Sequence, residues 1–201
     1  MSSLDLILAS ASPRRLELLA GIGVRARARP VELDERPHPG EAAHDHIVRL
    51  AREKALAGQR LAAAESLSDE RLPVLGGDTA LSLDGEIIGK PSDGEDATRT
   101  LGRLSGRAHQ AISAVAVTGP AGLLEACVVS EVHFRVLDAR EIEAYVAGGE
   151  GADKAGGYAL QGRAAMFVSR IEGSWSAIVG LPLCETSQLL ARQGVAPWLR
   201  R

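Results

Sequence analysis

Apolar residues run together from Leu6 to Ala9, and a turn of small residues follows them. Such a run predicts a buried strand over residues 4–9. Ser12 then stands where an N-cap belongs, with Pro13 at the first helical position, and Leu16, Leu19 and Ala20 recur at helical spacing until Gly21 and Gly23. These features predict a helix over 13–20. Arg25, Arg27 and Arg29 alternate with Ala26 and Ala28, the pattern of a half-exposed strand, before a polar loop of Asp34, Glu35, Pro37, Pro39 and Gly40. Ile47, Leu50, Ala51, Ala55, Gly58 and Leu61 fall on one face of an Ala-rich helix from about Glu41 to Ala64. The Ser/Asp/Glu stretch near 65–71 reads as a surface connection.

Pro73 to Gly77 reads as a short strand delivering Asp78 at its end. Ala80–Leu83 and Glu86–Gly89 flank Asp84-Gly85, the strongest short hairpin signal in the chain. A two-residue loop sets Leu83 opposite Glu86, and the extended register sets Thr79 opposite Lys90, making Asp78 and Lys90 near neighbours. Ser92-x-x-Glu95 reads as a capping box for a helix to about Leu104, closed by Ser105-Gly106. Gln110–Thr118 and Leu123–Leu137 read as long strands around Gly119-Pro120-Ala121-Gly122, so the sheet is mixed. Asp138-x-x-Glu141 caps another helix. Gly148 to Gly162 is a Gly-rich stretch carrying Asp153, Lys154, Tyr158 and Gln161, which reads either as a binding loop or as a floppy surface loop. Ala164–Ile171 and Ser176–Val179 read as a final hairpin, Leu183–Gln193 as a closing helix and Ala196–Arg201 as a frayed tail.

The 201 residues fit one large domain or two small lobes, and 45% apolar with 24% charged residues describes an ordinary globule. A formal net charge of −3 gives no basis for general nucleic-acid or membrane binding, and 3% aromatic residues disfavour a base-stacking surface. Cys127 and Cys184 have no Cys-x-x-Cys spacing and read as reduced core residues. No apolar run approaches ~18 residues, and the N-terminus lacks a basic stretch followed by an apolar one, which points to a cytoplasmic protein.

Three features break the pattern. Arg14 and Arg15 lie in the first turn of a helix, where the macrodipole costs each cation roughly 0.3–1 kcal/mol. They describe either a phosphate-binding site or two solvated arginines, Glu17 offering Arg14 a partner. Lys54 falls within the apolar helix face, so its amine either extends past the edge or meets an anion. Asp78 beside Lys90 is either a structural ion pair or a carboxylate tuned by a phosphate-binding lysine. His44 and His46 face different ways on a helix, and His38, His109 and His133 are isolated and read as structural or surface residues. The chain has no P-loop, no dinucleotide-binding glycine motif, no zincin motif and no nucleophile elbow. What remains is Arg14, Arg15, Lys54 and Lys90 as cations, with Glu35 and Asp78 as carboxylates. That set suits water attacking a phosphate, where cations and a divalent metal neutralise the oxygens and a carboxylate orients or deprotonates the water. Magnesium needs only one or two protein carboxylates beside substrate oxygens.

Ala9-Ser10-Ala11-Ser12-Pro13-Arg14-Arg15, Arg52-Glu53-Lys54-Ala55, Gly77-Asp78-Thr79, Gly89-Lys90-Pro91 and Leu104-Ser105-Gly106 together resemble the Maf family. So do Asp153-Lys154-Ala155-Gly156, Gln161-Gly162 and Val179-Gly180-Leu181-Pro182. The resemblance covers residues 4–193 of a single domain over 1–201, with 196–201 as a tail. It implies an α/β fold, a bent mixed β-sheet flanked by helices with two lobes around a central cleft, of the Maf/ITPase-like kind. It also implies a nucleoside triphosphate pyrophosphatase, a hydrolase that cuts the α–β phosphoanhydride bond to release a monophosphate and pyrophosphate. A divalent cation (Mg or Mn), a homodimer and a cytoplasmic role in nucleotide metabolism go with it. By motif, Asp78 matches the proton acceptor, Arg14, Arg15, Lys54 and Lys90 the phosphate-handling cations, and Ser10 and Ser12 the first loop. Glu35 matches the acidic position tied to metal or water, so the resemblance puts a metal on Glu35 and Asp78.

Arg14, Thr79 and Gln161 match the branch acting on dTTP and UTP, with modified pyrimidine nucleotides as a further target. The branch for 7-methyl-GTP has Trp, Gln and Glu there. The Gln161 amide can donate to a pyrimidine carbonyl and accept from N3–H. Two alternatives stay open: a nucleotide-binding regulator of septum formation with little turnover, and the 7-methyl-GTP branch. Gly77 stands where Ala is usual and Gly151-Ala152 where Pro-Leu is common, which loosens the strand before Asp78 and the binding loop.

Overall fold

The computed structural model describes residues 4–64 and 72–199; the connection near 65–71 and the end of the tail, Arg200 and Arg201, lie outside them. Strand β1 (Leu6–Leu8) is buried throughout and pairs in parallel with β2 (Ala26–Ala28) and β3 (Val74–Leu83). Helices α1 (Pro13–Gly21) and α2 (Ala43–Ala64) make the two crossovers. β3 is one continuous strand of ten residues running through Asp78, not a short strand followed by a hairpin arm. Along one edge it pairs antiparallel with β5 (Ala108–Thr118), from Val74 to Ser82. Along the other it pairs with β1 at Val74 and Leu75, then with β4 (Glu86–Ile88) from Leu81 to Leu83. Among the described residues no strand covers that edge from Gly76 to Ala80. β6 (Leu124–Phe134) and β7 (Val168–Glu172) complete a mixed seven-stranded sheet of order β2-β1-β3-β5-β6-β7, with β4 on β3.

Helix α2 covers one face, packing Ile47, Ala51 and Ala55 on Ala80, Ile112, Ala114 and Ala116. A Cβ at Gly76 would stand 2.3 Å from the Ala51 carbonyl oxygen and 2.4 Å from the Ala55 nitrogen, so the helix backbone rests directly on the strand. The other face holds two clusters. Leu6, Leu8, Leu19, Leu75, Val115 and Val117 pack under α1 and α6 (Leu183–Arg192). Leu81, Leu83, Leu101, Leu104, Phe134 and Tyr145 pack under α3 (Gly94–Leu104) and α4 (Ala139–Ala147). Thr79 and Ser113 face one another between these clusters. A polar seam therefore splits the core, and the expected two lobes correspond to its two sides.

Several local expectations shift. Asp93, not Ser92, caps α3: its side chain accepts from Asp96 N at 2.8 Å, and Asp96 in turn accepts from Ser92 N at 3.0 Å. Ser12 occupies the N-cap of α1 with no side-chain bond; instead its own N–H donates to Ser10 Oγ. The final hairpin does not form. Arg163–Phe167 is a 3-10 turn, β7 adds to β6, and Trp175–Val179 is a short helix, α5, because the Ser174 hydroxyl caps Ala177 N at 3.2 Å. Leu61 is half exposed while Ala62 takes the core position. Cys184 is exposed and Cys127 half-buried, both as free thiols, so neither belongs to the deep core. Pro197 is buried in a 3-10 turn, so the tail does not fray at 197–199. No helix among the described residues is long and apolar enough to cross a membrane.

Candidate active site

Alternation along β3 sends Gly76, Asp78 and Ala80 towards α2, and Leu75, Thr79 and Leu81 to the opposite face. The uncovered edge between β1 and β4 thus carries a carboxylate on one side and a hydroxyl on the other. Close contact of α2 with Gly76 brings Lys54 to the next residue of the same face. The Lys54 side chain is only 10% exposed, and its Nζ donates to Asp78 Oδ1 at 2.6 Å and meets Glu35 Oε1 at 2.7 Å. The lysine in the apolar stripe therefore meets anions, as its burial demands.

Glu35 comes from the loop before α2, and that loop is clamped. Arg49 donates through Nε to Glu41 Oε1 at 2.6 Å and through Nη2 to Glu41 Oε2 at 2.8 Å. Its Nη2 also reaches the carbonyl of Arg36, the residue after Glu35, at 3.2 Å. Glu41 accepts from His38 N at 2.9 Å and pairs with His46 Nδ1 at 3.0 Å. The Arg49 guanidinium, aided by those bonds, holds the Glu41 carboxyl far below the usual carboxylate range.

On the opposite face Arg15 is buried. It donates through Nε to Gly180 O at 2.8 Å, through Nη1 to Ser10 Oγ at 3.0 Å, and reaches Thr79 Oγ1 at 3.5 Å. Burial lowers its pKa, while the charges of Asp78 and Glu35 work the other way, so their field reaches it across the strand. A guanidinium stays charged under such a shift. Arg15 thus braces the small-residue turn against α5 and β3.

The candidate residues fall into two linked groups, Lys54–Asp78–Glu35 and Ser10–Ser12–Arg15–Thr79. Arg14 is half-buried and has no hydrogen bond or ion pair among the described residues, Glu17 included. Lys90 and Gln161 are exposed and likewise unbonded. The expected Asp78–Lys90 neighbour pair does not form: the β3–β4 ladder ends at Leu81 and Ile88, and Lys54 takes the carboxylate instead. Gly89 instead accepts from Gly156 N at 2.9 Å, tying the Gly-rich loop beside Lys90. In that loop Tyr158 is buried against His109, its OH 2.7 Å from Nε2, and Lys154 pairs with Asp153.

Sequence reasoning missed Ser113, whose hydroxyl lies 2.9 Å from Thr79 Oγ1, and the Arg49–Glu41 clamp. Strand pairing and loop closure place both, and neither leaves a local pattern. It also misread His133 as isolated. His133 Nε2 lies 2.8 Å from Glu131 Oε1 and 3.1 Å from Glu172 Oε1, a group that could hold a metal ion. That cluster is level with Ala108 and Gln110 on β5, whereas Asp78 pairs with Ala114.

The family profile described as Maf-like protein matches residues 5–193. The chain is 47% identical over 192 residues to the dTTP/UTP pyrophosphatase of Methylococcus capsulatus, covering 96% of this chain and 92% of that one. It is 48% identical over 187 residues to the dTTP/UTP pyrophosphatase of Chromobacterium violaceum, covering 93% of each. Among solved structures, that of the Staphylococcus aureus Ham1 protein overlaps 64% of this chain and 71% of that one, at 14% identity and a TM-score of 0.40. That partial overlap carries no weight for function.

Proposed function

The chain belongs to the Maf-like family, and on that premise we propose that it is a dTTP/UTP pyrophosphatase, hydrolysing the triphosphate to monophosphate and pyrophosphate. The observation that carries the mechanism is the convergence of Lys54, Asp78 and Glu35 at the uncovered edge of β3. The triphosphate lies along that edge, with Arg14 and Lys90 as its free cations. Asp78 accepts a proton from water as the water oxygen bonds to phosphorus and the α–β bridging bond breaks. Lys54 fixes the Asp78 carboxylate and offsets the charge of two acids and a polyphosphate at one place. Ser10, Ser12 and Arg15 shape the turn that faces the phosphates, and Arg14, Thr79 and Gln161 select the base.

Glu35 and Asp78 also fit a divalent cation. They are hard oxygen donors drawn to one point, both against the Lys54 amine. Bound there, Mg or Mn would supply charge neutralisation on the phosphate oxygens. A homodimer, a cytoplasmic setting and the lack of nucleic-acid or membrane partners belong to the same reading, as does a single domain over the chain. The net charge of −3 supports the absence of a general polyanion partner.

The test incubates dTTP, UTP, CTP, GTP and 7-methyl-GTP with Mg or Mn and separates the products by ion exchange. Wild type should yield monophosphate and pyrophosphate from dTTP and UTP. Asp78→Asn should lose about 10²–10⁴-fold in turnover while melting like wild type. Diphosphate plus phosphate as products, or an active Asp78→Asn variant, would overturn the mechanism.

A further inference from the structure

Gln161 is exposed and makes no hydrogen bond among the described residues, so its own contacts do not fix where its amide points. Its backbone is fixed from both sides. Gly162 N donates to Ala159 O at 3.1 Å, which makes Leu160 and Gln161 the central residues of a tight turn. On one flank, Ala159 N donates to the Tyr145 hydroxyl at 3.0 Å. On the other, Arg163 N lies 3.0 Å from both oxygens of Glu150. The buried phenol therefore accepts from one end of the turn and the Glu150 carboxylate from the other.

Contact between this acid and the turn is direct. A Cβ at Gly162 would stand 2.2 Å from Glu150 Oε1, so only glycine lets the carboxylate sit against the backbone there. Glu150 is half-buried at the end of α4, and Tyr145 projects from that helix into the core. The Arg163 amide holds the Glu150 carboxyl below its ordinary value, and burial pushes the Tyr145 hydroxyl up to about 12. Carboxylate and phenol thus both persist across the neutral range. A group that reads a base needs such support, because a loose amide yields its discrimination to conformational averaging.

We infer that Glu150, through its bonds to the Arg163 amide and its contact with Gly162, is a positioning residue for base selection, fixing one end of the Leu160–Gln161 turn while Tyr145 holds the other. This rests on reading Gln161 as the residue that meets the base. Glu150 touches no substrate; it acts by setting where Gln161 stands.

The test measures kcat and KM for dTTP and GTP with the full chain. The variants are Gln161→Ala, Glu150→Ala, Glu150→Gln, Tyr145→Phe and the Glu150→Ala/Gln161→Ala double. Gln161→Ala judges the underlying reading: an unchanged dTTP-to-GTP preference in that variant removes it and the inference with it. If that preference falls, the Glu150 variants judge the brace alone. Glu150→Ala should lower the preference about tenfold, mainly through a higher KM for dTTP, the scale of one charge-assisted hydrogen bond. Glu150→Gln and Tyr145→Phe should fall between it and wild type. On the Gln161→Ala background, Glu150→Ala should change the preference by less than about twofold, since both act through one amide. Equal losses on both substrates, or a full effect in the double variant, would mark Glu150 as merely structural and overturn the inference. Should Glu150→Ala fail to fold by circular dichroism, Glu150→Gln and Tyr145→Phe carry the same readout.

Discussion

Replacing His109 with leucine should flatten the dependence of stability on pH. His109 is 2% exposed on β5, with its ring edge-on to Phe134 and Tyr158 at 5.1 and 5.5 Å. Nε2 meets the Tyr158 hydroxyl, while Nδ1 has no partner. Burial, with a smaller contribution from the charge of His133, pushes its pKa from 6.5 down to about 4. The unfolded chain therefore binds this proton more readily than the native one, so stability rises with pH across the interval. The contribution is fully present above pH 6.5 and is lost as pH falls towards 4. From those two values, the loss between pH 7.5 and pH 5 comes to about 2 kcal/mol. Urea unfolding of wild type and His109→Leu at pH 5, 6 and 7.5 measures it. The variant is less stable at pH 7.5, because the Tyr158 hydroxyl loses its partner, but its decline on acidification should be smaller by about 2 kcal/mol, which narrows the gap at pH 5. Other titrating groups are common to both proteins and cancel in that difference. Parallel pH profiles would refute the reasoning.

Two further outcomes follow from the site. Gly76→Ala should cost about 1–3 kcal/mol in urea unfolding and depress turnover, because the added carbon meets the α2 backbone rather than a side-chain tip. Gly77→Ala is its control: the carbon would stand 3.3 Å from Ala114 O, and stability should stay within about 1 kcal/mol. Arg49→Ala should release the loop beside Glu35 and raise the Mg concentration for half-maximal activity several-fold, while Arg52→Ala, whose partner Glu125 lies on β6, should leave it unchanged.

Much of this architecture was legible from the chain because it rests on local signals. The turn at Asp84-Gly85, the capping box at Asp138 and Glu141 and the apolar stripe of α2 each specify structure within a few residues. Lys54 was legible as an anomaly for the same reason: a charge in a packed stripe needs an answer, and Asp78 and Glu35 provide it. Non-local pairing was not legible. The register of β3 against β4 could be extended on paper to Lys90, but the strands part after Ile88, so the ladder rule ran past its physical end. The 164–179 region alternated well enough for a hairpin, yet one Ser174 cap and the free edge of β6 redirected it into a helix and a sheet strand. The Arg49 clamp and the Thr79–Ser113 contact join residues far apart in sequence and leave no periodic trace.

The bare stretch of β3 has a bearing on assembly as well as on chemistry. An unpaired strand edge invites another chain to add to it, the usual opening for aggregation. Here five residues, Gly76 to Ala80, span about 17 Å at the usual rise of a strand. β1 and β4 stop the gap at either end, so an incoming strand meets a wall before it can set a register. A polyphosphate chain has no register to set and needs no such length. The same interruption that leaves Asp78 and Thr79 half-exposed to a small anion gives a neighbouring polypeptide no edge to join.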